Sequence, residues 1–550
     1  MKLIKNAWAV LTEGERKRFL RLVLFDVLIS VADVFFLFVL LLLVQHYIQP
    51  YTGHYHLPSW FANSRSLWPV AVFFLLFCAK NTAGYLVSKA HFSLNGDVAI
   101  RISENNLQQF QQGRYENYVR IDSSEYIRKI AFQPFEFSQQ VLSGIQQLIT
   151  QLFLIAITLA GILLLNAQLF LLLLLILLPP VTVVFYVIKR RQIRAGEQIR
   201  TSNEISYRYL FDALKGFVEG NVYLRNGFFR RRFVEARRTF CTHLFATLSL
   251  QTLPSRMVEL FAVFGLIALL ALVRWTGSDD SSSLLLIGAF MAAAYKMIPG
   301  LVKIINLAGQ LKAYAFTPGD FEKQLEEEKE KNSTKSIHTL QLKNAGFQFN
   351  GVPAFHNVSL HLQRGDFVGI FGTSGLGKTT LFNVLLGFLP LQNGEIFVNE
   401  KKALDQNLKM FWPSIAYVRQ QCFLLHDTVL KNITLSEESC NQQRLLQALH
   451  LSGLEDMLQH SADGLQKLIT ENGKNISGGQ QQRIAIARAL YKDADVFFLD
   501  EPFNELDEAS ETKLLQHFRC LADCGKIVVM VTHNRQAASF CTKILDLDEN

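Results

Sequence analysis

None of the seven cysteines stands in a C-x-x-C pair; they are scattered as Cys78, Cys241, Cys422, Cys440, Cys520, Cys524 and Cys541. That scatter speaks against catalytic duty, and reduced thiols are the expectation. A cleavable signal peptide is also missing. The first apolar run begins near Phe19 and is too long for a signal sequence, so it is expected to stay as a membrane anchor. Charge is sparse, at 19% of residues, and the balance is basic at +8. A basic balance points to nucleic acid or to an anionic membrane surface. Location decides between them. From Tyr186 to Arg238 there are 13 Lys and Arg against 5 Asp and Glu, and the segment lies between two apolar runs. It reads as a cytoplasmic loop obeying the positive-inside rule, and no nucleic-acid partner is expected.

What the sequence does hold is apolar: half of its residues, with 44 Phe, crowded into the first three-fifths. A soluble core seldom needs about 20 apolar residues in succession, whereas a bilayer does. Six spans are expected, at Phe19–Ile48, Leu67–His91, Val141–Leu165, Leu169–Ile188, Met257–Trp275 and Leu284–Leu307. Basic residues before the first span put the N-terminus in the cytoplasm, and the lightly charged loops Gln49–Arg65 and Thr276–Ser283 fall outside. His54 and His56 in the first of these read as plain loop residues rather than metal ligands. The cytoplasmic connections Phe92–Gln140 and Lys189–Arg256 lack strand alternation, so long helical extensions are expected, with reversals near Asp122–Tyr126 and Asp212–Gly220.

Charges inside spans are costly and usually functional. Asp26 and Asp33 lie in the first span, Lys80 in the second, and Lys296 and Lys303 in the sixth. Two readings stand side by side. Either such charges pair between helices, Asp33 with Lys80 for instance, or Lys80, Lys296 and Lys303 line a central cavity that attracts an anionic headgroup.

The composition changes at about Ser336, after a Glu- and Lys-rich connector. The expected division is a helical membrane domain over 1–320, a linker over 321–336 and an α/β nucleotide-binding domain over 337–550. In the last of these, Gly372-Thr373-Ser374-Gly375-Leu376-Gly377-Lys378-Thr379-Thr380 fits the P-loop pattern. An apolar strand candidate precedes it and a helix candidate follows. Backbone N–H groups of such a loop turn toward phosphates, the lysine reaches the β- and γ-phosphates, and the Thr379 hydroxyl suits Mg²⁺. Downstream, Val496–Asp500 is a strand ending in Asp500 and Glu501. Asp500 is expected to hold Mg²⁺, and Glu501 to polarise the attacking water as general base.

Between these two motifs lies Ser477-Gly478-Gly479-Gln480. With that run the chain resembles the ABC transporter ATPases. The resemblance implies a RecA-like core with a helical subdomain carrying the 477–480 run, which serves a nucleotide held by the opposite subunit. It implies further that Gln420 is the Q-loop residue facing Mg²⁺, that His533 meets the γ-phosphate, that Asp507 is the D-loop aspartate and that Phe349 stacks on adenine. The order of spans, linker and ATPase is similar to bacterial type IV exporters, and Tyr295–Pro299 and Asp33 resemble lipid and lipid-linked oligosaccharide flippases. Phe349, Arg419 and the pair Asn504-Glu505 depart from the common pattern, which has Tyr, Pro and Ser-Ala.

The resemblance implies a multi-pass protein of the bacterial inner membrane, with its ATPase domain in the cytoplasm. It implies an ATP- and Mg²⁺-dependent homodimeric exporter or flippase of an amphipathic substrate, an anionic lipid or a lipid-linked sugar. A heterodimer, a multidrug or peptide exporter and an ATP-regulated channel are the alternatives. No peptidase-like segment precedes the first span, so a leader-cleaving peptide exporter is not expected.

Overall fold

A computed structural model describes residues 2–48, 67–113, 115–165, 182, 198–276, 297, 299–315, 335–349, 351–373, 375–403, 408–459 and 461–548. The spans expected at Leu169–Ile188 and over most of Leu284–Leu307 lie outside these residues. So do both external loops with His54 and His56, nearly all of the linker, and the site candidates Ser374 and Lys296. The chain divides into two compact units, one of residues 1–113 and 117–327, the other of 114–116 and 328–550.

The first unit is helical. Glu13–Ile48 and Trp68–Gln112 form unbroken helices of 36 and 45 residues, so the second continues well past the expected span. Ser143–Leu165 and Leu253–Thr276 follow. Among the described residues three segments are long and apolar enough to cross a membrane: Glu13–Leu40, Trp68–Gln112 and Ser123–Gly161. Their outer faces are bare hydrocarbon; Phe74 and Leu75 are 62% and 68% exposed. Such a surface is stable against lipid rather than water. Small residues let these helices approach closely. A Cβ at Gly144 would lie 3.0 Å from Leu311 Cδ2, and one at Gly300 would lie 3.2 Å from Ile155 Cδ1.

The first reversal differs from the expectation at Asp122–Tyr126. Gly113 leaves the helical region at ψ 169° and ends the long helix there, ahead of the short helices Tyr115–Arg120 and Ser123–Ile127. The second lies close to its expected place. Helix 198–215 stops at Gly216, the short helix Phe217–Val222 follows, and Leu224 turns the chain at φ +54° into Asn226–Leu250.

The second unit holds two sheets. β1 (Thr339–Phe349), β2 (Val352–Gln363), β4 (Asn393–Val398) and β5 (Lys401–Ala403) form an antiparallel sheet in the order β2-β1-β4-β5. β3 (Phe367–Phe371), β6 (Ile415–Val418), β7 (Val496–Asp500), β8 (Ile527–Val531) and β9 (Lys543–Asp546) form a parallel sheet in the order β6-β7-β8-β3-β9. Every residue of β3, β7 and β8 is buried, as a parallel sheet covered on both faces requires. Phe382 of the helix after β3 packs edge-on to Phe498 of β7, with ring centroids 5.1 Å apart. A separate helical layer, with Gln442–Ser452 and Gly478–Tyr491, closes over its own core around Ile433, Leu449 and Ile484. This is the expected α/β core with a helical subdomain. The C-terminal ends of β3, β7 and β8 stand side by side, and the site forms there.

Candidate active site

The loop after β3 is built to bring backbone, not side chains, inward. Gly377 adopts φ +73°, and a Cβ there would sit 2.6 Å from the Ala354 carbonyl oxygen. Only glycine fits. Lys378 then opens the helix Lys378–Leu385, with Gly377 as its N-cap. The Lys378 side chain is buried and folds back over the loop, donating to the carbonyl oxygens of Gly372 at 2.6 Å and Thr373 at 3.2 Å. Burial holds its ammonium below the usual lysine range, and Glu501, Asp548 and Asp500 pull it back up. Thr373 donates its N–H (3.1 Å) and hydroxyl (3.0 Å) to the carboxylate of Asp548.

β7 delivers two carboxylates to the same place. Asp500 is 2% exposed, and its Oδ2 accepts from the Thr379 hydroxyl at 3.0 Å. Burial pushes its carboxyl above the usual range, Glu501 adds to this, and the Thr379 bond works against it. Glu501 turns the other way because its backbone is left-handed, at φ +48°. For a non-glycine residue that costs about 1–2 kcal/mol, and such strain collects at functional sites. Its N–H donates to the Val531 carbonyl oxygen at 3.0 Å, which fixes the turn. Among the described residues its carboxylate has three partners. Gln420 Nε2 donates to Oε2 at 2.8 Å, Asn504 Nδ2 donates to the same oxygen at 2.7 Å, and His533 Nε2 lies 2.8 Å from Oε1. The same His533 nitrogen is 3.3 Å from Lys378 Nζ.

Residues singled out from distant parts of the sequence thus meet at the ends of β3, β6, β7 and β8. Lys378, His533, Glu501 and Gln420 are linked in one network, and the bonded pair Thr379 and Asp500 lies beside it. The arrangement offers backbone donors and a cation for phosphate, hard oxygen donors for a divalent cation, and a carboxylate held for proton transfer. Phe349 lies apart, 52% exposed, with its ring edge-on to Phe347. Asp507 caps the helix Glu508–Asp523 through its bond to the Ser510 N–H, and hydrogen bonding from Ser510 holds its carboxyl below the usual range. Ser477–Gln480 begin another helix, closed by a reciprocal capping box between Ser477 and Gln480. No hydrogen bond among the described residues joins that run to the P-loop. Instead the Glu505 carboxylate crowds it: a Cβ on Gly478 would lie 2.8 Å from Glu505 Oε2.

Sequence reasoning missed two partners here. Asp548 is 175 positions from Thr373, and nothing in the local pattern announces the contact. Asn504 was visible as a departure, but its bond to Glu501 was not.

In the helical unit Lys80 pairs with Asp33, so of the two readings the structure forms the ion pair between helices, with the Lys80 side chain 11% exposed. Lys303 is exposed on the helical segment 299–313. A different polar site appears along the long helical extensions. Arg128 is 7% exposed; its Nε lies 2.6 Å from Glu204 Oε1, and its Nη1 is buried without a hydrogen-bond partner. It opens onto a pocket of about 180 Å³ shared with Glu136, Gln140, Asn203, Gln251 and Gln310. The segments Arg128–Phe132 and Phe137–Leu142 beside it are π-helical, a distortion often found at functional sites.

Comparison with known proteins agrees with this geometry. Residues 355–504 match the ABC transporter family. A putative export ATP-binding/permease protein of Rickettsia bellii is 34% identical over 214 residues, 38% of this chain and 37% of that protein. An ATP-dependent lipid A-core flippase of Neisseria gonorrhoeae is 27% identical over 300 residues, 53% of this chain and 48% of that one. The matched stretch therefore spans less than half of either relative. A bacterial Atm1-family ABC exporter with ATP bound shares the fold, with a TM-score of 0.75 at 16% identity over 96% of this chain and 93% of the other.

Proposed function

We propose that this chain, whose C-terminal unit carries an ABC transporter ATPase domain and whose whole length has an exporter's fold, is one half of a dimeric ATP-driven translocase. The observation that carries the reading is the convergence around Glu501: a P-loop lysine, two carboxylates, a glutamine and a histidine meet at the ends of four adjacent strands. Backbone N–H groups of 375–379 and Lys378 bind the triphosphate. Thr379 and Asp500 suit Mg²⁺, because both offer oxygen and the Asp500 carboxylate already faces the Thr379 hydroxyl. Bound there, the ion neutralises phosphate charge. Water adds to the γ-phosphorus, the bond to the β-phosphate oxygen breaks, and the water proton passes to Glu501.

Each chain has one P-loop and one Ser477–Gln480 run, so a complete site takes the P-loop of one copy and the run of another. A homodimer meets that requirement with two equal sites. Closure of those sites drives the helical units between inward- and outward-open states in the inner membrane. The substrate is amphipathic. Similarity to a lipid A-core flippase supports a lipid with an anionic headgroup. The Arg128 pocket supports a seat for a polar group, and Lys296 and Lys303 remain candidates for the same task.

Reconstituted protein in proteoliposomes tests both halves of the reading. Glu501→Gln is expected to keep ATP binding and to lose hydrolysis by about 10²–10⁴-fold. A mutant that hydrolyses ATP like wild type removes Glu501 as the base. Fluorescent phosphatidylglycerol and a neutral dye are then compared as cargo. Lipid movement that requires ATP and fails in Glu501→Gln supports the flippase. Movement of the dye alone turns the reading to a drug pump, and ATP turnover without either turns it to a regulator.

A further inference from the structure

We propose that Asn504 is a positioning residue for Glu501, and that by occupying Oε2 it makes Oε1 the oxygen that takes the water proton. The inference rests on Glu501 being the general base. An ionised carboxylate has about four acceptor positions, two on each oxygen. Glu501 Oε2 accepts from both Gln420 at 2.8 Å and Asn504 at 2.7 Å, so its positions are filled. Among the described residues Oε1 faces only His533, at 2.8 Å, which leaves it one position for water.

The loop around Asn504 is fixed well enough to do this. Glu501 sits at φ +48°, and Pro502 and Phe503 are buried. Phe503 stacks near Phe518, with centroids 6.4 Å apart, and the Leu506 N–H closes the turn on the Phe503 carbonyl oxygen at 2.9 Å. A buried anchor at 503 therefore aims the 504 side chain back at 501. Serine, the residue common at this place in the resembling family, has no amide, and its hydroxyl stops one bond short of where the Asn504 amide nitrogen lies. The next residue, Glu505, donates its N–H to Gln482 Oε1 at 3.2 Å. Asn504 thus stands at the joint between the base and the helix that begins with the Ser477–Gln480 run.

The test uses full-length protein in nanodiscs and measures ATPase kinetics together with equilibrium binding of a fluorescent ATP analogue. Asn504→Ala should lower kcat about tenfold, as loss of a hydrogen bond to a charged group does, with KM and analogue affinity unchanged within about twofold. Asn504→Gln, which keeps the amide, should recover at least half of the lost rate. In a Glu501→Gln background, Asn504→Ala should change the residual rate by less than about twofold, because the group it orients is gone. Three outcomes overturn the proposal. One is a wild-type kcat in Asn504→Ala beside an inactive Glu501→Gln. Another is a loss in affinity that matches the loss in rate. The last is an equal loss in the Glu501→Gln background. Wild-type hydrolysis by Glu501→Gln alone would instead sink the general-base reading on which this rests.

Discussion

The two units of the chain bury charge in opposite ways. In the helical unit, buried or half-buried charges are spent on one another across helices. Asp33 pairs with Lys80, and Arg101 grips Glu15 through two bonds of 2.8 and 2.9 Å; the His91 ring also lies 2.9 Å from Asp26. In the ATPase unit the charges at the strand ends do not cancel in pairs. Lys378 donates to carbonyl oxygens, Asp500 to Thr379 is a carboxylate–hydroxyl contact, and Glu501 is met by two amides and a histidine. Paired charge is satisfied within the fold, and losing one partner is what costs stability. Charge left among neutral dipoles is held ready for a ligand and weakens the fold that holds it. The difference predicts which substitutions harm stability and which harm activity.

Among the substitutions that test this contrast, the largest effect should come from Lys378→Met. Removing a cation aimed at developing charge costs about 10²–10³-fold in rate. Stability should move the other way. The folded state binds the Lys378 proton less readily than the unfolded chain, since burial lowers its pKa. The charged form is thus a cost to folding that is present in full below the depressed pKa and fades as pH rises through it. At neutral pH the mutant should hydrolyse almost nothing and melt no lower than wild type in the absence of nucleotide. A mutant that unfolds early would erase the contrast between the units.

That contrast also governs what could be read in advance. Phosphate chemistry demands residue types at fixed spacing, so Lys378, Thr379, Asp500 and Glu501 were legible as a pattern, and β3, β7 and the helix after the P-loop fell where expected. Contact with lipid demands only apolar character. The spans could be counted, but where their helices end could not: the second helix runs on to Gln112, through Gly84 and Gly96, because no proline interrupts it after Pro69. Pairings across long separations were the hardest. Asp33 with Lys80 was open to sequence because both are costly inside a span. His91 with Asp26 was not, since His91 stands where a span was expected to end. Thr373 with Asp548 depends on how the sheet brings loops together, which spacing does not encode, while Glu501 with Asn504, three residues apart, depends on the left-handed turn at Glu501.

A middling effect should follow from the Asp33–Lys80 pair. Breaking a buried pair by removing one partner leaves an uncompensated charge and costs about 3–5 kcal/mol. Lys80→Met should therefore lower the melting temperature of the purified protein well beyond Lys378→Met, while the ATPase rate of the surviving folded fraction stays within about twofold. The double change Lys80→Met with Asp33→Leu should recover most of the loss. If the double mutant is as stable as wild type but transports nothing, the pair belongs to the substrate path and the division between the units is too simple.

The smallest effect asks whether burial without a role leaves activity alone. Cys541 lies in the ATPase unit against Gly369, where an added Cβ would come 2.9 Å from its Sγ. Burial pushes its thiol up to about 11, with Arg519 pulling slightly the other way. Only the thiolate reacts with alkylating reagents, so at pH 8 such a thiol should label about a hundredfold more slowly than one at the ordinary value of 9.0. Cys520 and Cys524 are exposed and should label first. Mass spectrometry of iodoacetamide-treated protein gives the order directly. ATPase activity should survive labelling of Cys520 and Cys524 and decline only on the slower timescale of Cys541, when the added group forces Gly369 and β3 apart. Early labelling of Cys541 would mean that β9 opens in solution, and the P-loop, which follows β3 beside it, would then be less firmly seated than the Lys378 prediction requires.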